Sequence, residues 1–324
     1  MIAAGDIADC RASWTLDDAT ARIVDGEPNA LVQTLGDNAY PSGTSAEFAN
    51  CYHPTWGRFK SRTRPALGNH EYRTPGASGY FGYFGVQAGD PAKGYYSYDY
   101  GKWHVVVLNT NWRDGGPSVA AGSDQLAWLF ADLASSNRQC TIAVMHHPRF
   151  SSGERGNDTS MAAIWNVLYR AGVDVVINGH DHLYERLAPA NPGGVADPAF
   201  GIRQFTVGTG GTSPAEATPF KNTPLAISER RQNSVAGVLR LELDSTFYRW
   251  RFMAVEGLSY EDEGTDVCHG PPPSGSASAL TVSSPLSLLA PGVYPGRRRS
   301  MVPLLENRWK RQPPTTHVTY LARN

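Results

Sequence analysis

The chain has no apolar run approaching the ~20 residues that cross a bilayer, which excludes a transmembrane helix. Charge is scarce too: Asp, Glu, Lys and Arg make up 18% of the residues, below the usual ~25%. Net charge is −1 at pH 7, so nothing global favours nucleic acid or an anionic membrane as a partner. The start, Met1-Ile2-Ala3-Ala4-Gly5-Asp6, has no basic flank and reaches a carboxylate at once, unlike a signal peptide. Because it opens directly on an apolar strand stub, we expect a leader to have been removed upstream. Internal repeats are lacking. Plentiful instead are glycine (33) and proline (23) in 324 residues, the mark of a loop-rich globular protein rather than a helical bundle.

The four cysteines, Cys10, Cys51, Cys140 and Cys268, lack the Cys-x-x-Cys spacing of a zinc knuckle. An even count fits two disulfides in an oxidising compartment, so we expect a secreted or extracytoplasmic protein. Four cysteines allow three connectivities; we expect Cys10–Cys51 and Cys140–Cys268. Four buried free thiols are the alternative.

Short apolar segments punctuate the chain. Ile2 to Ala4 reads as a strand ending at Gly5-Asp6, and Ala30 to Leu35 ends at Gly36-Asp37-Asn38-Ala39-Tyr40. Pro65 to Leu67 reads as a third, ending at Gly68-Asn69-His70-Glu71. Thr15-x-x-Asp18 resembles a helix start. Tyr95 to Tyr100 and Trp103 to Leu108 form a predicted hairpin turned at Gly101-Lys102. Ser123 caps a predicted helix with Leu126, Leu129, Phe130 and Leu133 on one stripe. Thr141 to Met145 is a strand running into His146-His147. Met161, Ile164, Trp165 and Leu168 form a second helical stripe, stopped at Gly172. Val173 to Ile177 is the next strand, followed by Gly179-His180-Asp181-His182. Arg203 to Val207, Val235 to Leu243 and Phe247 to Ala254 are expected to complete a second sheet against the first. This alternation argues for an α/β layered core. Residues 271–324 hold nine prolines, seven Lys/Arg and one acid, so we read them as a flexible Pro/Arg-rich tail outside a domain spanning 1–270.

Each metal-capable side chain follows a predicted strand: Asp6, Asp37, Tyr40, Asn69, His70, His146, His147, His180 and His182. Sites in α/β sheets sit outside the carboxyl ends of strands. Each residue taken alone has a plain structural reading. Asp6 and Asp37 could cap turns, Asn69 could hold an Asx-turn, Tyr40 could be a rim aromatic, and His146 could be a core histidine. Taken in this order they point to one site. Carboxylate, amide and imidazole donors suit first-row metals such as iron, manganese or zinc.

The ordered set Gly5-Asp6, Gly36-Asp37-x-x-Tyr40, Gly68-Asn69-His70-Glu71, Met145-His146 and Gly179-His180-x-His182 resembles the calcineurin-like metallophosphoesterases, in particular their purple acid phosphatase branch. Ala8 departs from the Gly-Asp-x-Gly form usual in the family's first motif, which leaves the loop path open. The resemblance implies an α/β (α+β) fold, a four-layer αββα sandwich of two mixed sheets flanked by helices, with a dimetal site at the strand ends. It implies that Asp6, Tyr40 and His182 hold one metal, that Asn69, His146 and His180 hold the other, and that Asp37 bridges them. His70 would contact the phosphoryl group or protonate the leaving oxygen, with Asp37 the second catalytic residue. Asn69 and His147 would meet substrate. A phenolate from Tyr40 favours Fe(III) in the first position, with divalent Zn, Mn or Fe in the second.

The expected activity is hydrolysis of small phosphate monoesters by metal-activated hydroxide. A phosphodiesterase on the same centre is the alternative, and a non-catalytic metal- or phosphate-binding protein a third reading. Arg149, Arg155 and Arg186 are further cations that could meet phosphate; Arg186 could instead brace its loop through a neighbouring acid. His53, His104, His269 and His317 are expected to be structural or solvated.

Overall fold

The structure is a computed structural model and describes residues 1–11, 16–211, 217–221 and 223–273. Ile2–Ala4 (β1) and Ala8–Asp9 (β2) precede a helix, Asp17–Asp25 (α1). Val32–Thr34 (β3), Ala39–Tyr40 (β4), Ser45–Glu47 (α2), Thr63–Arg64 (β5) and Ser78–Phe84 (α3) follow. Then come Tyr96–Tyr100 (β6), Trp103–Leu108 (β7), Asp124–Ser135 (α4), Cys140–Met145 (β8), Ala162–Arg170 (α5), Val175–Asn178 (β9) and Tyr184–Leu187 (β10). Arg203–Val207 (β11), Ser228–Gln232 (β12), Gly237–Leu243 (β13), Phe247–Ala254 (β14) and Glu263–Val267 (β15) complete the order.

Two large mixed sheets result, ordered β15-β14-β13-β1-β3-β5 and β12-β10-β11-β9-β8-β7-β6. In the first, β1, β3 and β5 are parallel and β13 runs antiparallel to β1. In the second, β7, β8, β9 and β11 are parallel.

The central strands of the second sheet are buried on both faces, which is why they read as unbroken apolar runs. Val105, Val107, Ile142, Val144, Val175 and Ile177 enter the core shared with the first sheet. The alternate residues Val106, Leu108, Ala143, Met145 and Val176 pack with Leu126 and Leu129 of α4 and Ile164, Trp165 and Leu168 of α5. From the first sheet, β14 turns Tyr248, Trp250 and Phe252 inward and leaves Arg249 and Arg251 exposed. Tyr248 meets Trp103, Trp250 meets Phe205, and Phe252 meets Tyr184. Fully burying side chains of this size stabilises by ~1.5–3 kcal/mol each, so this aromatic seam fixes how the sheets face one another. Helix α1 lies against β13. The layers therefore run helix, sheet, sheet, helix.

Both disulfides pair as expected, Cys10–Cys51 and Cys140–Cys268. The second joins the start of β8 to the residue after β15, and so staples one sheet to the other. Ser123 caps α4, its hydroxyl accepting the Leu126 N–H at 3.4 Å.

Several elements differ from the sequence reading. The third strand is Thr63–Arg64, not Pro65 to Leu67; proline has no N–H for the ladder, and pairing stops before it. The late strands do not form a sheet of their own: β13 and β14 extend the sheet of β1, while β11 joins that of β9. Phe130 is 68% exposed, so the buried stripe of α4 is Leu126 and Leu129, with Leu133 at its margin. Helix α1 begins at Asp17 after Leu16, which makes no side-chain cap; Thr15 lies outside the described residues, as do His317 and the tail from residue 274. Ala8 sits buried in a two-stranded parallel ladder with Ala39, so the extra methyl is accommodated where the family usually has glycine.

Candidate metal centre

The candidate side chains lie at or beyond the ends of strands, with Tyr40 the last residue of β4. Asp6 follows β1 after one glycine, Asp37 follows β3, Asn69 and His70 follow β5, His146 follows β8 directly, and His180 and His182 follow β9. Among the described residues the non-glycine positions with positive φ are Asp6 (61°), Asp37 (49°), His180 (71°) and Ala77 (49°). Three of these four are candidate site residues. Left-handed backbone is disfavoured for L-residues and collects where function requires a particular side-chain direction. The glycines between strand and ligand leave room for close approach. A Cβ on Gly68 would lie 2.1 Å from Asp37 Oδ1, and one on Gly179 would lie 2.7 Å from Asp6 Oδ2.

The side chains converge as two trios. Tyr40 Oη lies 2.8 Å from Asp6 Oδ1 and 3.2 Å from His182 Nε2, and His182 Nε2 lies 3.3 Å from Asp6 Oδ1. Asn69 Oδ1 lies 3.1 Å from both His146 Nε2 and His180 Nδ1. Asp37 stands between them: its Oδ2 is 3.1 Å from Tyr40 Oη and 3.3 Å from His146 Nε2. Its other oxygen accepts the His70 N–H at 2.8 Å. Asp6, Asp37 and His146 are all buried, with ligand atoms within 4.8 Å of one another.

The donor chemistry fits bound cations. His146 Nδ1 faces the Leu35 carbonyl at 2.8 Å, so Nδ1 carries a proton in the neutral ring. Its Nε2 lone pair then faces Asn69 Oδ1 and Asp37 Oδ2, both acceptors. Only a second proton or a cation reconciles three such atoms. Burial opposes that proton, but the Asp37 carboxylate outweighs burial and pushes the His146 imidazole up to about 9. Burial likewise pushes Asp37 up, yet His146 and His70 hold it below the ordinary carboxylate range. Tyr40 is held well above its ordinary value by burial, Asp37 and Asp6. Ligand atoms ~2.1 Å from a metal and 90–109° apart lie ~3.0–3.4 Å from one another, close to the spacings within each trio.

The remaining candidates divide. His70 lies at the margin, Nδ1 on the Pro41 carbonyl at 2.7 Å and Nε2 4.0 Å from Asp37 Oδ2; burial keeps its imidazole below the ordinary value. His147 is buried, its Nδ1 3.0 Å from Thr110 Oγ1 and its ring 4.3 Å from that of His180. Burial pushes it down to about 3, so it is neutral at physiological pH. Asn69, His147, His180 and Arg155 line a cleft of about 490 Å³ together with Arg113 and Asp158. Arg186 is not at the cleft: it pairs with Asp262 at 2.8 Å and with Glu229, and covers the Trp250 ring. Arg149 donates to the Asp158 carbonyl and covers Phe150. His104 bridges Asp99 and Asp132, and His53 meets Tyr83.

Glu71 is the residue whose role the sequence reading missed. It is buried, and its carboxylate accepts N–H groups from Asp37 (3.0 Å), Asn38 (2.7 Å) and Gly68 (2.7 Å). It thus ties the loop carrying Asp37 to the loop carrying Asn69. Burial pushes its carboxyl up to about 7. The available signal was its place directly after His70 in a turn whose backbone donors need an acceptor.

A sequence model of calcineurin-like phosphoesterases matches residues 2–184, the stretch carrying both trios. The chain belongs to the calcineurin-like phosphoesterase family. Within that family its relatives place it on the purple acid phosphatase-like branch. It is 32% identical over 219 residues to purple acid phosphatase 21 of Arabidopsis thaliana, covering 60% of this chain and 48% of that protein. It is 36% identical over 146 residues to purple acid phosphatase 22 of the same plant, covering 43% of this chain and 32% of that one. The chain therefore spans less than half the length of these two relatives. The structure of purple acid phosphatase PPD1 from yellow lupin seeds matches with a TM-score of 0.64 at 22% identity, over 86% of this chain and 57% of that one. That likeness is one of fold: two mixed sheets flanked by helices. Membership of this branch implies a dinuclear metal centre.

Proposed function

We propose that the chain is a dinuclear metal-dependent phosphoesterase that hydrolyses small phosphate monoesters. The observation that carries this reading is the position of Asp37, whose Oδ2 contacts a member of each trio at 3.1 and 3.3 Å. A carboxylate so placed serves two cations at once. In this reading Asp6, Tyr40 and His182 hold one ion, Asn69, His146 and His180 hold the other, and Asp37 bridges. Bound, such a pair supplies Lewis acidity and lowers the pKa of a water towards neutrality. The chain's own residues do the rest. Glu71 holds the Asp37 and Asn69 loops in register. His70, at the margin, serves the departing oxygen. His147, neutral and tied to Thr110, lines the cleft beside His180.

The first ion is proposed to be Fe(III) and the second Zn, Mn or Fe in the divalent state. Burial and two carboxylates disfavour ionised Tyr40, so a phenolate there requires a strongly polarising cation. Purified protein should then be purple to red and should lose that absorbance in Tyr40→Phe. A colourless, fully metallated, active enzyme would remove the iron assignment. The two disulfides support a secreted or extracytoplasmic protein, and no helix among the described residues is long and apolar enough to cross a membrane. We assign catalysis to residues 1–270, with 271–324 outside the catalytic unit. Hydrolysis of nitrophenyl phosphate well above that of bis-nitrophenyl phosphate is the expected result. The reverse ranking would make the centre a phosphodiesterase.

A further inference from the structure

We propose that Arg155 is a specificity residue that binds the phosphoryl dianion of a monoester and disfavours diesters. The inference rests on the reading of the site as a phosphoesterase centre and names the group that tells its two ester classes apart.

The side chain stands at the cleft wall with 55% of its surface exposed. Its backbone is held firmly. The Ser151 N–H donates to Asn157 Oδ1 at 3.1 Å, Glu154 N–H to the Pro219 carbonyl at 2.8 Å, Gly156 N–H to the Gly153 carbonyl at 2.9 Å, and Asp158 N–H to the Arg149 carbonyl at 3.1 Å. A second guanidinium in the cleft, that of Arg113, is taken up by Asp158 at 2.9 and 3.4 Å. The carboxylate nearest Arg155 makes a long ion pair with it, 3.8 Å from Nε to Asp181 Oδ1.

What marks Arg155 is the group it faces. Its Nη1 lies 2.6 Å from His180 Nε2, while His180 Nδ1 faces Asn69 Oδ1 at 3.1 Å. Guanidinium nitrogens only donate. If His180 turns its Nδ1 lone pair to a cation beside Asn69, its hydrogen resides on Nε2. The 2.6 Å contact holds only while Nε2 accepts from the guanidinium; with a hydrogen on Nε2 two donors meet, the contact opens, and the exposed guanidinium turns to an acceptor in the cleft. A terminal phosphoryl oxygen is such an acceptor. A monoester dianion has three terminal oxygens and two negative charges; a diester has two and one. The extra oxygen and charge are what an additional guanidinium recognises, through charge-assisted hydrogen bonds of fixed fork geometry.

The test compares wild type, Arg155→Gln and Arg155→Lys. The readouts are kcat/KM on nitrophenyl phosphate and on bis-nitrophenyl phosphate, metal content per chain, and calorimetric Kd for inorganic phosphate. A hydrogen bond to a charged group is worth enough to change binding ~10- to 100-fold. Arg155→Gln should lower monoester kcat/KM and weaken phosphate binding by about that factor, with diester turnover changed less than ~3-fold and metal retained. Arg155→Lys, which keeps the charge but not the fork, should fall between. Equal losses on both esters, unchanged phosphate affinity, or loss of metal from Arg155→Gln would overturn the assignment. A metal-loaded wild type inert to both esters would instead sink the enzymatic reading, and phosphate calorimetry would still decide the role of Arg155.

Discussion

Gly68→Ala is a one-methyl change aimed at the middle of the proposed site. The added Cβ would lie 2.1 Å from Asp37 Oδ1 and 2.2 Å from the Asp37 backbone nitrogen. A carbon needs more than ~3 Å from either atom, so one loop must move by ~1 Å. Rotating the Asp37 side chain does not relieve this, because the second clash is with backbone. A displacement of ~1 Å at a catalytic group costs ~10²-fold in rate, and overpacking of this kind destabilises by ~1–3 kcal/mol. At ~2–4 °C per kcal/mol for a body of this size, the melting temperature should fall by several degrees. The assay is kcat/KM on nitrophenyl phosphate with metal content and thermal melting on the same preparations. Gly82→Ala is the matched control: it lies within α3, and its Cβ would meet nothing within 4 Å. That variant should be neutral or stabilised by up to ~1 kcal/mol. A Gly68→Ala protein as active and as metallated as wild type would refute the close approach of these loops as a requirement of the site.

Three further outcomes are expected. His70→Ala should lose ~10²–10⁴-fold in turnover with metal largely retained, because its ring lies outside both trios; metal analysis and kcat on one preparation check this. Cys140→Ser should lower stability by ~5 kcal/mol on chain-entropy grounds, since the bridge closes a separation of 128 residues; denaturant melts measure it. His104 is held above its ordinary pKa: burial opposes the charge, but Asp132 at 2.7 Å and Asp99 at 3.0 Å outweigh it. A raised folded pKa stabilises fully below the unfolded value near 6.5 and ceases to do so as pH rises through the folded value. His104→Gln should therefore cost more melting temperature at pH 5.5 than at pH 8.5, and an equal cost at both would count against the pair of contacts.

What the sequence made legible was the local part of the structure. Strands buried on both faces, such as Trp103–Leu108 and Cys140–Met145, announce themselves as apolar runs, and the strand-end pattern of glycine followed by a metal-capable side chain marked the residues that the fold brings together as the candidate site. Elements stabilised by distant partners were not legible. Tyr184–Leu187 is a fully buried strand that reads Tyr-Glu-Arg-Leu. Its charges are affordable only because Glu185 accepts from Ser152 N–H and Ser228 Oγ, while Arg186 reaches Asp262. No periodicity shows this. The same holds for Ser228–Gln232, which pairs with that strand, and for the assignment of β13 and β14 to the sheet of β1, which register and not composition decides. Glu71 belongs to both classes. Its place in the motif was visible, but its four backbone donors, Asp37, Asn38, Ala39 and Gly68, come from two loops separated in sequence.

The most direct measurement is metal content per chain in wild type and Asp37→Ala, read by elemental analysis alongside phosphate ester turnover. Two ions per chain in the wild type, with ions and turnover lost together in the variant, is the expected result. An Asp37→Ala protein that keeps two ions and full activity would contradict the bridging role, and an active wild type free of metal would contradict the centre as a whole.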